Sequence, residues 1–304
     1  MLRWQIGNAR ITQIIESGPT PTSPKFFFKD APRDLVQRHG WLKPHFANDD
    51  NRLLMSIHAF VVESQGHRIV VDTCIGNDKT RSFEGWNQLH GPFLRDLTAA
   101  GFAPDTIDTV LCTHLHVDHV GWNTRLEGGR WVPTFPRARY LFARKEWEHW
   151  SAEARMPAPY GDASTPPDDV IGDSVRPIVD AGLADLVDTD HRITGEVRLQ
   201  PTPGHTPGHV SVRIESQGQL ALITGDLMHH PIQCAEPDRE VNFDSDSDLA
   251  RATRKTFLAC CVKDKALVLG THFAPPTAGH VVAYGDAWRF EAWLAQPEGH
   301  EPTP

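Results

Sequence analysis

The sequence predicts an α+β fold, a layered sandwich with helices on its outer faces. Two observations carry that expectation. Short β-branched runs cluster as hairpins near the N-terminus, and later runs alternate with helical stretches instead of keeping a strict βαβ rhythm. Strands are expected at Ala9–Glu16, Ser56–Ser64 and His67–Thr73, each bounded by Gly or polar breaks. A helix follows across Gly91–Phe102, with Pro92 in its first turn and Gly101 at its end. Thr109–Cys112, Arg137–Ala143, Val210–Ser216, Leu220–Gly225 and Lys265–Gly270 read as further strands. Helices are expected at Arg144–Glu153, Leu249–Cys261 and Tyr284–Ala295.

One domain is expected over residues 1–304, since 39% hydrophobic content at that length can bury a substantial core. Residues 1–50 read as an N-terminal extension or lid, and residues 151–174 as an inserted loop. The second of these, "SAEARMPAPYGDASTPPDDVIGDS", is rich in Pro, Ala and Asp and too long for an ordinary connection. In the first, Phe26, Phe27 and Phe28 interrupt a polar stretch. They read either as a core or subunit contact or as a wall of a substrate pocket.

Composition narrows the function classes. The net charge of −9, with Lys and Arg scattered, argues against a phosphate-backbone partner, because nucleic-acid binders carry a basic stripe. No apolar stretch approaches the span of a membrane helix, and the N-terminus has no basic segment followed by an apolar one. Secretion and a membrane are therefore not expected, and the cytoplasm is the default. The five cysteines show no CxxC spacing, which suggests neither a disulfide framework nor a thiolate zinc site. Seventeen histidines exceed what packing requires.

Surface positions account for many of these, but several stand at strand ends. In "VLCTHLHVDHVGWN", His114 and His116 project to one face of an extended segment while Leu115 points into the core. Asp118 and His119 follow after a turn and approach from a second direction. His209 stands just before one strand, and Asp226 and His272 stand just after two others. Imidazole and carboxylate are ligands that zinc, manganese or iron accept, and these side chains suffice for two ions. Rigid strand ends also hold a site better than loops do. A lone histidine beside an apolar strand is more often an ordinary hydrogen-bonded residue, so the case rests on the set.

HLHVDH, the histidine of TPGHTPGH, the aspartate of TGD and the histidine of GTH together resemble the metallo-β-lactamase superfamily in motif order and spacing, over roughly Ser56 to Val282. The resemblance implies a four-layer αββα sandwich with a metal site at one edge. It implies that His114, His116 and His209 hold one ion, that Asp118, His119 and His272 hold a second, and that Asp226 bridges them. Asp72 then corresponds to an aspartate that fixes ligand orientation, its alternative being an ordinary turn residue. His205 and His230 are expected outside the ligand set. The expected cofactors are two divalent ions, zinc first, with manganese, iron or cobalt as alternatives.

Within the superfamily, flavin-linked diiron members usually carry Glu at the position of His116, and many true β-lactamases carry Cys at that of Asp226. Thioester hydrolases continue into a helical domain, and RNA-processing members add basic segments. The chain is most similar to the branch of N-acyl homoserine lactonases and methyl parathion hydrolase. Lactonases of that branch often have Tyr three residues after the bridging aspartate, where this chain has His229 in "GDLMHH". The organophosphate hydrolase has a similar histidine.

The implied chemistry is hydrolysis of small, fairly apolar esters by a hydroxide shared between two ions, lactones first and aryl esters or phosphate triesters next. Asp118 is expected to orient the hydroxide or pass a proton, and His229 to act as an acid or oxyanion donor, or else structurally. A homodimer is expected by analogy. The competing class is a non-catalytic regulatory module. Structural zinc sites are closed and often thiolate-rich, unlike this set. The acidic run "FDSDSDLARATRKTF" lacks the Gly and Glu of a calcium loop, and capping of a helix by Asp246 or Ser247 explains it.

Overall fold

A computed structural model describes residues 1–152 and 168–293. The first half runs β1 (Arg3–Ile6), β2 (Ala9–Thr22), α1 (Pro24–Phe27), β3 (Leu53–Ser64), β4 (His67–Val71), α2 (Phe93–Ala99), β5 (Thr109–Leu111) and a small hairpin of β6 (Thr124–Glu127) and β7 (Arg130–Pro133). It continues through β8 (Arg139–Ala143), α3 (Arg144–Ala152), α4 (Arg176–Asp180) and β9 (Ala184–Val187). The second half runs β10 (Val197–Pro201), β11 (Val210–Ser216), β12 (Gln219–Ile223), α5 (Ile232–Ala235), α6 (Ser247–Asp264), β13 (Leu267–Leu269), β14 (Ala278–Tyr284) and β15 (Ala287–Ala292).

One sheet has the order β1-β2-β3-β4-β5-β8-β9, the other β10-β11-β12-β13-β14-β15. Their facing sides share a core that includes Ile11, Phe60, Val71, Leu111, Val212 and Ile223. Alternate residues of the same strands point outward, as the period of two requires. On the first sheet, Val110, Tyr140 and Phe142 meet Phe93, Leu97 and Ile178 of the helices. On the second, Leu222 and Val268 meet Phe257 and Leu258 of α6. The result is the four-layer αββα sandwich that the sequence predicts. Burying one side chain of this size contributes about 1.5–3 kcal/mol, so each layer boundary is held by many such increments.

The structure overturns one expectation and bears on two others. The helix expected at Tyr284–Ala295 is a β-hairpin as far as residue 293, with the last two residues outside the described part. Tyr284 pairs with Ala287 across a two-residue turn whose first position, Gly285, has φ +59°, a turn that matches the twist of paired strands. Trp288, Phe290 and Ala292 then alternate onto the outer core, a period of two and not of 3.6. Secondly, residues 1–50 are integral to the sandwich. Residues 3–22 form two strands of the first sheet, and Phe28, Leu35, Leu42 and Phe46 are buried over the second. Thirdly, most of the segment 151–174 lies outside the described residues, but its described end is anchored. Asp168 accepts from Ser82 N, and Asp173 takes a two-pronged hydrogen bond from Arg81.

The ends of β4, β5, β10, β12 and β13 deliver the polar segments that build the site described next. Among the described residues, no helix is long and apolar enough to cross a membrane.

Candidate metal centre

The chain leaves β4 at Asp72, whose φ of +58° is a conformation that aspartate tolerates better than most residues. Its side chain holds the strained turn in place. Oδ1 accepts from Thr113 N at 2.7 Å, and Oδ2 accepts from Thr113 Oγ1 and His119 Nδ1, each at 2.9 Å. Asp72 therefore orients a histidine of the HLHVDH segment and ties that segment to the neighbouring strand. Because Thr113 Oγ1 donates to Asp72, it accepts from His114 Nδ1 at 3.1 Å. His272 Nδ1 donates to Ser56 O at 3.0 Å. In each of these imidazoles the Nδ1 proton is spoken for, and the Nε2 lone pair faces inward.

Two groups of ligand-type atoms result. His114, His116, His205 and Asp226 form one, and Asp118, His119 and His272 form the other, with the atoms of each group within 4.8 Å of one another. Asp226 stands between them. Its Oδ1 is 3.1 Å from His272 Nε2, and its Oδ2 lies 3.3 Å from His119 Nε2, 3.5 Å from His205 Nε2 and 3.7 Å from His114 Nε2. His205 Nε2 approaches His116 Nδ1 at 3.0 Å, and His272 Nε2 approaches His119 Nε2 at 3.2 Å. Two nitrogen lone pairs at that separation repel unless a proton or a cation lies between them. His114 Nε2 is buried and accepts no hydrogen bond. The donor set therefore fits a pair of divalent cations.

The electrostatics agree. Burial, helped by neighbouring histidines, holds His114, His116 and His205 well below the usual imidazole range, which keeps them neutral as ligands must be. Burial also pushes His119 down, but Asp226, Asp72 and Asp118 outweigh it and lift it well above the usual range. His272 is raised in the same way, burial being outweighed by Asp226 and Asp118. Burial would raise Asp226, yet His119, His272 and His229 pull it well below the carboxylate range. The carboxylates thus demand positive charge at the centre, which is what divalent ions supply.

The structure brings His114, His116, Asp118, His119, Asp226 and His272 together. His209 is close but does not join a group. Its Nδ1 donates to Thr202 O at 3.0 Å, and its Nε2 accepts from the backbone N–H of Asp226 at 2.8 Å. Both ring nitrogens are consumed, so His209 positions the Asp226 backbone. Gly225, at φ +56°, permits this approach, since a Cβ there would lie 2.5 Å from His209 Nε2. The fourth member of the first group is His205, which the sequence reading places outside. His230 is outside the groups as expected, donating from Nε2 to Phe46 O and accepting from Ile232 N at Nδ1. His229 Nε2 is 3.2 Å from Asp226 Oδ2.

Two supporting carboxylates were not singled out by sequence reasoning. Glu146 of α3 accepts from Leu115 N at 3.3 Å and from Gly208 N at 2.7 Å, and so clasps the two histidine-bearing loops. Glu16 of β2 accepts from Ile75 N, Gly76 N and Trp122 Nε1, and fixes the turn beyond His119. Local sequence does not single either out, since α3 carries other charged residues beside Glu146 and β2 is partly polar around Glu16.

The centre forms the floor of a cavity of about 810 Å³. Its walls are mostly apolar, with Phe26, Phe27, Trp86, Trp150 and Phe243 among the lining side chains and Arg52 and Asp168 among the polar ones. Phe28, the third of the phenylalanines, is buried in the outer core instead.

Comparison with known proteins agrees with this architecture. Residues 53–272 match the family described as the Metallo-beta-lactamase superfamily. An N-acyl homoserine lactonase of Bacillus cereus is 24% identical over 268 residues, covering 83% of this chain and 94% of the relative. Among solved structures, the hydrolase AbOPH of the beta lactamase superfamily superposes with a TM-score of 0.78 at 25% identity, covering 97% of this chain and 98% of that one. AidC, described as a dizinc quorum-quenching lactonase in complex with a product, superposes with a TM-score of 0.77 at 20% identity, covering 97% and 98%. The chain therefore belongs to the metallo-beta-lactamase superfamily and is a metal-dependent hydrolase.

Proposed function

We propose that the chain hydrolyses lactones bearing an apolar substituent, using two divalent ions, zinc first. The observation that carries this reading is the pairing of two ligand groups through Asp226 on the floor of a mostly apolar cavity. The lactonase relatives support the choice of lactone among esters. Bound there, such ions supply a nucleophilic water at neutral pH and polarise the carbonyl oxygen.

The chain's own residues do the rest. His114, His116, His205 and Asp226 would hold one ion, and Asp118, His119 and His272 the other, with Asp226 between them. Asp118 has oxygens 3.7 Å from His119 Nε2 and 3.6 Å from His272 Nε2, and it orients the attacking water. His229 presents Nε2 to the same point and donates a proton to the leaving oxygen. Phe26, Phe27 and Phe243 take the apolar substituent and exclude water around the reacting bond. A second reading, hydrolysis of aryl esters or phosphate triesters on the same site, is favoured by one observation, the histidine rather than tyrosine at position 229.

A panel of an N-acyl homoserine lactone, an aryl acetate and a phosphate triester tests both readings. The lactone is expected to lead in kcat/KM by at least about tenfold, and chelation is expected to remove activity that zinc, manganese or cobalt restores. A lead for the triester moves the assignment to the second reading. No hydrolysis of any member by metal-loaded protein overturns both. In the same panel, His229→Phe is expected to lower kcat about a hundredfold with little change in KM, and unchanged turnover on every ester removes His229 from the reaction.

A further inference from the structure

The acidic run after β12 has a part that helix capping does not absorb. Asp246 caps α6 by accepting from Leu249 N, as the sequence predicts. Asp244, two residues earlier, turns inward. Its Oδ1 lies 3.1 Å from His205 Nδ1, and both side chains are buried. The backbone reinforces the contact, with Ser245 N donating to His205 O and Asp246 N to Gly204 O, each at 2.9 Å. The other oxygen of Asp244 is 3.6 Å from Nη2 of Arg254, a side chain wholly inside the protein. Arg254 also donates from Nε to Leu227 O at 3.1 Å and from Nη1 to Pro237 O at 2.9 Å. One guanidinium thus holds both the residue beside Asp226 and the carboxylate beside His205.

We infer that Asp244, anchored by Arg254, is a positioning residue for His205: it takes the Nδ1 proton, fixes the ring, and so leaves the Nε2 lone pair aimed at the first ligand group. The inference rests on the two-ion reading above. A carboxylate behind a ligand histidine selects the tautomer and raises the basicity of the ligating nitrogen. A buried carboxylate and guanidinium that served packing alone would be replaceable by apolar residues without effect on metal binding. Here the contacts of Arg254 with Leu227 O and with Asp244 bear on Asp226 and on His205.

Stepwise competition with a chelator, on wild type, Asp244→Asn and Asp244→Ala, tests this. Asparagine keeps the size of the side chain and an acceptor for Arg254, but it can turn its amide toward His205 and favour the wrong tautomer. Both variants are expected to bind one zinc as wild type does and the other about 10–100-fold more weakly. Cobalt(II) substitution is expected to show altered visible absorption from one ion only, which a packing role would not produce. Wild-type affinities and an unchanged cobalt spectrum in both variants overturn the inference. Should neither variant fold, nitrogen-15 NMR of wild type decides, with a proton on Nδ1 of His205 expected and a proton on Nε2 overturning it. Wild-type protein that takes up no second ion overturns the two-ion reading itself, and this shows in the wild-type curve.

Discussion

Asp226→Ala is expected to lower kcat/KM at least about a thousandfold, equivalent to about 4 kcal/mol of transition-state stabilisation, and to leave the protein with fewer than two bound ions. The expectation follows from position. The Asp226 carboxylate lies within 3.7 Å of Nε2 of His114, His119, His205, His229 and His272, and so it joins the two ligand groups. Without it, the inward-facing imidazoles lose the carboxylate nearest their Nε2 atoms, and neither ion keeps its full ligand set. Asp226→Asn separates charge from size, since the amide fits the same space but supplies no net negative charge. It is expected to behave nearly as the alanine variant does. Metal analysis beside steady-state kinetics checks both, and retention of two ions with activity within tenfold of wild type would contradict the expectation.

The second large effect separates His205 from His209. His205→Gln is expected to cost one ion and about a hundredfold or more in kcat/KM, because it removes a nitrogen that sits 3.0 Å from His116 Nδ1 and 3.5 Å from Asp226 Oδ2. His209→Gln is expected to keep both ions, because the glutamine carbonyl can still accept from the Asp226 N–H. His209→Ala leaves that buried N–H unmatched and is expected to cost about 1–3 kcal/mol of stability without losing an ion. Metal content, thermal unfolding and kinetics of the three variants make the comparison. Loss of an ion from His209→Gln, with both retained in His205→Gln, would restore the assignment made from sequence.

Sequence made the segments of the candidate ligands legible because each lies at a strand end next to an apolar run. His114, His116, Asp118, His119, Asp226 and His272 could be read from that placement. TPGHTPGH could not be resolved in the same way, since its histidines are four residues apart and both fall in the connection before β11. What decides between them is which ring has its second nitrogen consumed, a matter of the Asp226 backbone reaching His209 across the sheet. Asp244 and Glu146 were hidden for a related reason: their partners are loops distant in sequence, and a capping motif and an amphipathic helix accounted for them locally. The C-terminal hairpin was missed because its aromatic residues fit either period over so short a stretch. Gly285 followed by Asp286 was the turn signal that would have settled it.

A crystal of zinc-loaded protein, with anomalous diffraction recorded at the zinc edge, tests the central claim most directly. The account predicts two anomalous peaks, one at about 2 Å from nitrogens of His114, His116 and His205, the other at that distance from His119 and His272, with Asp226 touching both. A single peak, or two peaks with His209 ligated and His205 free, would contradict it.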